Sequence, residues 1–302
     1  MKILCINYSQ SGQLNDIIGN FLTPLQNHTI DRVKIQPKES FAFPWATDNF
    51  YDIMPETVLE EAIPLEDIHF KEERYDLIIL GYQPWFLSPS MPTAALLQLD
   101  SFKNRLKGTK VITIIGARNM WLNSQVSVVK QISEAGGEMI GNLALVDRAP
   151  NQLSAISIVH WMLTGKKTRK WGVFPLPGIS DEDISNASHY GEILNKSIQH
   201  NSLETIQQEI VSQKGARINI NILFIEGKAK KIFNIWANII KKKERNGKNR
   251  SFWVAFFRFY LNFALFIVAP ILLVLYTILI RPFTLQKIKI KKNYFLFLGI
   301  KL

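Results

Sequence analysis

Tyr8-Ser9-Gln10-Ser11-Gly12-Gln13-Leu14 follows directly on Ile3-Leu4-Cys5-Ile6-Asn7, a strand-like run, and opens a helix-like segment over residues 15–25. A strand that runs into a Ser/Gly-rich turn at a helix N-terminus is an anion site. Hydroxyls and free backbone N–H groups converge there, and the helix dipole favours a phosphate. Gly12 lets the chain approach that phosphate with no Cβ in the way. The stretch lacks Gly-x-Gly-x-x-Gly, so it is not the dinucleotide fingerprint, and no Gly-Lys-Ser/Thr follows to make a Walker A loop.

The elements around this stretch set the fold class. Residues 28–35 alternate like a second strand near a sheet edge, while 76–81 (Asp-Leu-Ile-Ile-Leu-Gly) and 110–116 (Lys-Val-Ile-Thr-Ile-Ile-Gly) are continuous apolar strands, as in the centre of a parallel sheet. Residues 137–146 supply a fifth. Helical patterns over 93–107 and 119–135 lie between these strands. Residues 41–54, with five aromatics and no clean period, read as a loop or lid. The order predicts a doubly wound α/β domain, a five-stranded parallel sheet in the order 2-1-3-4-5. Ligands of such sheets bind beyond the carboxyl ends of the strands, which selects the loops 8–14, 81–92, 116–123 and 147–152.

Each of those loops is distinctive. In 81–92 three prolines stiffen Gly81-Tyr-Gln-Pro84-Trp85-Phe86-Leu87-Ser-Pro-Ser-Met-Pro92, and Trp85 and Phe86 offer flat apolar faces. Gly116-Ala117-Arg118-Asn119-Met-Trp121 supplies polar groups and a second aromatic wall. In the fourth, Asp147-Arg148 either binds a substrate oxyanion or forms a surface ion pair. Asn151 suits an N-cap for a helix carrying His160. Beside Ile156, Val159 and Leu163, His160 reads first as a core histidine, and it is also the best available general base.

Charge divides the chain. Residues 1–227 hold 20 Lys and Arg against 24 Asp and Glu, whereas 228–302 hold 16 against Glu244 alone. The net +11 is therefore a property of the tail, and no nucleic-acid motif accompanies it. Cys5 is the only cysteine and falls in the first strand, where a buried structural role is expected and a cytoplasmic body fits. In 228–243, Ile232, Phe233, Ile235, Trp236, Ile239 and Ile240 follow helical spacing between lysines, a pattern suited to an anionic membrane surface or to packing on the body. Residues 259–280 carry no charge and are long enough to span a bilayer. Lys and Arg flank both ends, so spanning and a re-entrant hairpin at Pro270 both stay open. The expected division is a domain over 1–215 and a helical membrane-associated tail over 216–302.

The first stretch resembles the phosphate loop of flavodoxins, hydroxyl-x-hydroxyl-Gly-x-hydroxyl, which holds the 5′-phosphate of FMN. Ser9, Ser11 and Gly12 match that pattern. Leu14 stands where a third hydroxyl is usual, which removes one hydrogen bond worth roughly 1–3 kcal/mol if charge-assisted. The resemblance implies FMN held by Ser9, Gln10, Ser11, Gly12, Gln13 and Leu14, with the ring beside Pro84, Trp85, Phe86, Leu87, Gly116, Ala117, Arg118, Asn119 and Trp121. Residues 81–92 are similar to the Gly-x-Pro-x-Trp/Tyr-Phe segment of flavodoxin-like quinone reductases.

A narrower resemblance covers residues 1–200. Gly-Tyr-Gln-Pro-Trp-Phe-Leu-Ser-Pro-Ser, Ile-Gly-Ala-Arg-Asn-Met-Trp and Val-Asp-Arg-Ala-Pro-Asn together resemble the dialkylresorcinol-forming proteins of aryl-polyene and flexirubin-type pigment clusters. That resemblance implies a partner ketosynthase that makes a lipophilic 2,5-dialkylcyclohexane-1,3-dione, which this chain aromatises oxidatively. For that chemistry His160 is the candidate base and Arg148 a candidate cation for the enolate, with Phe41, Phe43, Trp45 and Phe50 placed to cover alkyl chains. A homo-oligomer is compatible with it. The alternatives are an NAD(P)H-dependent quinone reductase, and a flavodoxin-type electron carrier docked on a membrane partner. The first predicts nicotinamide-driven flavin reduction, and the second a stable semiquinone with no substrate pocket.

Overall fold

The computed structural model describes residues 1–300. Five strands, β1 (Lys2–Asn7), β2 (Thr29–Lys34), β3 (Leu77–Tyr82), β4 (Lys110–Ala117) and β5 (Glu138–Val146), pair in parallel in the order 2-1-3-4-5. This is the flavodoxin-like order. Cys5 pairs with Arg32 on one side and Ile79 on the other, and Ile79 with Ile112.

Alternation along each strand feeds two cores. Leu4, Ile6, Ile78 and Leu80 face one layer with Leu96, Phe102 and Val128. These three come from α4 (Met91–Gln98), α5 (Asp100–Leu106) and α6 (Leu122–Glu134). Ile3, Cys5, Ile79 and Ile114 face the other. That layer is covered by α1 (Gln13–Leu22), α9 (Ala187–Gln199) and α10 (Ile206–Ser212). The Cys5 thiol is buried and pushed up to about 12 by that burial, the state of a structural cysteine.

Two expectations for the body need adjustment. Residues 93–107 form two helices, α4 and α5, broken at Leu99. The lid is half helical, with α2 (Thr47–Asp52) and α3 (Met54–Leu59) following an irregular 41–46. Pro55 in the first turn of α3 and Glu60 in the left-handed region at its end fix its limits.

The tail is joined to the body more closely than its composition suggests. Ala144 in β5 donates its N–H to Gly215 O (2.8 Å), and Ala216, Ile218 and Leu223 enter the core. Helix α11 (Ile220–Arg245) packs along α3, burying Ala237 and Ile240 against Met54 and Val58. The segment 228–243 therefore packs on the lid helices. Helix α12 (Arg250–Leu296) runs 47 residues and is long and apolar enough to cross a membrane. It does not reverse at Pro270, so of the two arrangements left open the hairpin centred there is absent. A proline nitrogen lacks the N–H for the i−4 bond, and wide π-type turns at Ala264–Val268 and Tyr276–Ile280 precede Pro270 and Pro282.

Candidate functional site

The loops at the carboxyl edge of the sheet meet one another through side chains. Gly12 lies at φ 87°, the left-handed region, and nothing comes within 4 Å of where its Cβ would sit. Its carbonyl accepts from Asn15 N (2.8 Å), closing the first turn of α1. Ser9 Oγ is buried without a hydrogen-bond partner. Gln10 N donates to Gln83 Oε1 (3.0 Å) and Gln10 Nε2 to Ala42 O (3.3 Å), tying this loop to 81–92 and to the lid.

Two of the expected phosphate-loop side chains point elsewhere. Leu14 is 0 % exposed and lies 3.5 Å from where a Cβ on Gly116 would sit, so its side chain belongs to the core and only its backbone N–H remains for a ligand. Gln13 exchanges two 3.0 Å hydrogen bonds with the backbone of Ile179, acting as a strut between α1 and the segment before α8 (Asp181–Ser185).

The 81–92 loop forms a tight hairpin, Pro84–Trp85 against Ser88–Pro89. Its two central residues, Phe86 (φ 45°) and Leu87 (φ 65°), adopt left-handed conformations that glycine or asparagine normally take. Three rings approach Trp85 edge-on: Tyr8 (5.8 Å), Phe41 (5.1 Å) and Trp45 (5.7 Å). The lid thus lies over the loop. It continues to α7 (Asn151–Thr164), where Phe43 meets Trp161 at 5.8 Å and Trp45 N donates to Met162 O (2.8 Å).

On the loops after β4 and β5, Arg118 Nη1 donates to Asn151 O and Oδ1 (2.9 Å each), and Asn119 Nδ2 donates to the same Oδ1 (2.9 Å). Asn119 Oδ1 and Asn151 Nδ2 are left buried and unpartnered. Burial lowers the Arg118 pKa to about 10 against the opposing pull of Asp147, so the guanidinium stays charged at neutral pH. Trp121, 1 % exposed, is a core residue and does not wall a ring pocket.

Asp147 and Arg148 do not pair with each other. Asp147 accepts from Ser154 Oγ (2.6 Å) and Ala149 N (2.8 Å), securing the start of α7, which Pro150 and not Asn151 precedes as cap. Arg148, half-exposed, pairs with Asp183. His160 is partly exposed and is not a core histidine; its Nε2 lies 3.4 Å from Thr168 Oγ1. Neither residue contacts the other candidates.

Sequence reasoning missed Gln83 and Glu226 and read Asn151 only as a helix cap. Gln83 and Asn151 join loops far apart in the chain, a pairing that no spacing marks. Glu226, on α11, is 0 % exposed, and its Oε1 accepts from Asn123 N (2.7 Å) at the start of α6. Burial raises its carboxyl to about 7 in spite of those N–H donors, and Oε2 has no partner.

The polar groups present fit a phosphate at one end and the polar edge of a planar ring at the other. Ser9 Oγ, Asn119 Oδ1 and Asn151 Nδ2 are buried with nothing to bind, which a folded protein tolerates where a ligand completes the set. A cavity of about 560 Å³ lies elsewhere, between residues 62–69 and 95–101, and none of these loops lines it.

The strand order and the Ser/Gly turn after β1 define a flavodoxin-like α/β protein. No family model matches the chain, and no curated protein does. Among solved structures, it is similar to a flavoprotein in complex with FMN from Lactobacillus acidophilus, at 20 % identity over 47 % of this chain and 91 % of that one, TM-score 0.39. A flavodoxin from the domain Archaea matches at 11 % over 66 % and 100 %, TM-score 0.34. Flavodoxin 1 from Bacillus cereus matches at 15 % over 64 % and 95 %, TM-score 0.32. At such values these neighbours add no argument, and the fold assignment stands on the strand order.

Proposed function

We propose that this chain is an FMN-dependent oxidoreductase that aromatises a 2,5-dialkylcyclohexane-1,3-dione to a dialkylresorcinol, beside a ketosynthase that makes the dione. The observation that carries the cofactor is the buried, unpartnered Ser9 Oγ beside the open Gly12 turn at the N-terminus of α1. Ser9, Ser11 and the backbone N–H groups of 11–14 hold the phosphate there. Bound FMN supplies a two-electron acceptor. Asn119 and Asn151 hold the polar edge of the ring, and Arg118 lends positive charge to it.

The substrate class rests on the three-motif resemblance and on the aromatic lid. Phe41, Phe43, Trp45 and Phe50 exclude water and cover alkyl chains. The dione loses two hydrogens, one as hydride and one as a proton. The proton is assigned to His160 as the best available base, although it lies nine residues along α7 from Asn151 and on another face of that helix. Arg148 offsets enolate charge once its pairing with Asp183 yields.

The test is one anaerobic turnover of the purified, flavin-loaded chain with a dialkylcyclohexanedione. Bleaching of the flavin band in step with resorcinol formation is expected. A band that responds only to NAD(P)H points to the quinone reductase instead. His160→Gln is expected to slow turnover and keep the flavin.

A further inference from the structure

The apolar helix α12 is fastened to the body at both ends. At its start, Arg250 Nε donates to Asp52 Oδ1 (2.7 Å), its Nη2 to Glu56 Oε2 (2.8 Å) and its Nη1 to Glu244 Oε2 (3.0 Å). At its end, the Leu296 carbonyl accepts from Gln207 Nε2 (2.6 Å), and Leu296 and Leu298 are buried in the core of the α/β domain. That last bond ends a buried relay. It runs from Tyr82 Oη through Gln125, Thr113 and Asn142 to Gln207, each link 2.7–3.0 Å. Gly299 leaves no room for a side chain against Val129.

The middle of α12 is tied down as well. Tyr276 stacks on Phe224 of α11 at 3.9 Å and 13°, and Trp236 meets Phe256, Phe257 and Tyr260. The helix therefore runs along the flank of the body. It starts at the lid, on the carboxyl edge of the sheet, and ends beside Met139 near the amino end of β5. A span would put about 30 Å of hydrocarbon between its two ends. It would have to break the Arg250 contacts or the Leu296 contacts, and the stacking between them.

Only 6 % of the most apolar window of α12 is buried. Phe252, Phe256, Phe259, Phe263 and Ile267 recur every three or four residues and are exposed along one side, while Leu272, Leu275, Ile278, Leu279 and Ile280 leave the second half apolar and exposed on several sides. Cations lie at both ends of this apolar surface, Lys242, Lys243, Arg245 and Lys248 before and Lys287, Lys289, Lys291 and Lys292 after. Lysines near an anionic leaflet contribute about 1 kcal/mol each.

We infer that α12 is a monotopic anchor, lying in the plane of one leaflet of an anionic bilayer, with the α/β domain and the C-terminal end of the chain on the same side. This placement depends on the tail meeting a membrane and is independent of the cofactor and the reaction.

The test uses the full chain expressed in a bacterium, in a Cys5→Ser background, with one added cysteine, Lys248→Cys or Asn293→Cys. Intact spheroplasts and lysed cells are treated with a membrane-impermeant maleimide, and flotation of the lysate shows whether the chain is on membranes. The expected result is a membrane-bound chain in which neither variant reacts in intact spheroplasts and both react on lysis. Labelling of the Asn293→Cys chain in intact spheroplasts, with the Lys248→Cys chain protected, means a span and overturns the inference while leaving membrane attachment intact. A chain that stays at the bottom of the gradient overturns both.

Discussion

The two ends of the candidate site are built differently. The phosphate end is local: one turn, Ser9 to Gly12, follows β1 and opens α1, and its geometry comes from a single left-handed glycine. The ring end is assembled from distant pieces. Trp85 is boxed by Tyr8, Phe41 and Trp45, and the lid that carries two of those rings is held by Met162, by Gln10 and, through Asp52 and Glu56, by Arg250 almost two hundred residues on. A local anion site survives large changes elsewhere in the chain. A lid whose position depends on the tail does not. Cofactor retention and substrate handling should therefore respond to different substitutions.

The largest effect is expected at the local end. Gly12→Asp forces a β-carbon into the left-handed region, about 1–2 kcal/mol, and sets a carboxylate at the proposed phosphate position. Flavin affinity should fall by about a hundredfold or more, read by fluorescence titration, with the lid unaffected. Retained affinity would break the comparison at its simpler end.

Arg250→Ala acts at the other end. It removes one of the two cations paired with Glu56, a carboxylate whose side chain is only 19 % exposed, and leaves Lys241. Burial alone would raise Glu56, but Arg250 and Lys241 hold it below the ordinary value. The variant should lose about 2–3 kcal/mol, open the lid to limited proteolysis near residues 46–60 and leave FMN affinity within a few-fold. Since Glu56 is depressed in the folded state, its contribution is present above pH 4.5 and is lost as the pH falls through the folded value. The difference in melting temperature between wild type and Glu56→Gln should shrink in that acid range.

Leu14→Thr restores the third hydroxyl of the flavodoxin pattern, yet the side chain points into the core. It should cost about 2 kcal/mol of stability and give no tighter flavin. A gain in affinity would show that Leu14 faces the ligand. The smallest effect is a change in slope at Glu226. Its carboxyl is raised from 4.5 to about 7, so the folded state holds more protons between those values and stability declines as the pH rises through them. Glu226→Gln should flatten that decline in thermal melts run from pH 4 to pH 8.

What was legible in the sequence follows the same division. Continuous apolar strands and the turn after β1 state the fold and the anion site because both are set by neighbours in the chain. The loop positions of Trp121 and Gln13 point to the cofactor, yet one is drawn into the core and the other into a strut with Ile179, destinations set by tertiary packing. Segment 228–243 has the spacing of a surface helix, and Lys241 looks like part of a charge run. Its pairing with Glu56 and Glu61 at 3.1 Å depends on a fold that no local pattern encodes.

The central claim is that the turn after β1 and the loops around it hold FMN. The most direct measurement is the visible spectrum of the purified full-length chain after titration with FMN and desalting, beside Gly12→Asp treated in the same way. The account predicts one equivalent of protein-bound flavin in the wild type and none in the variant. A wild-type chain that elutes without flavin contradicts it.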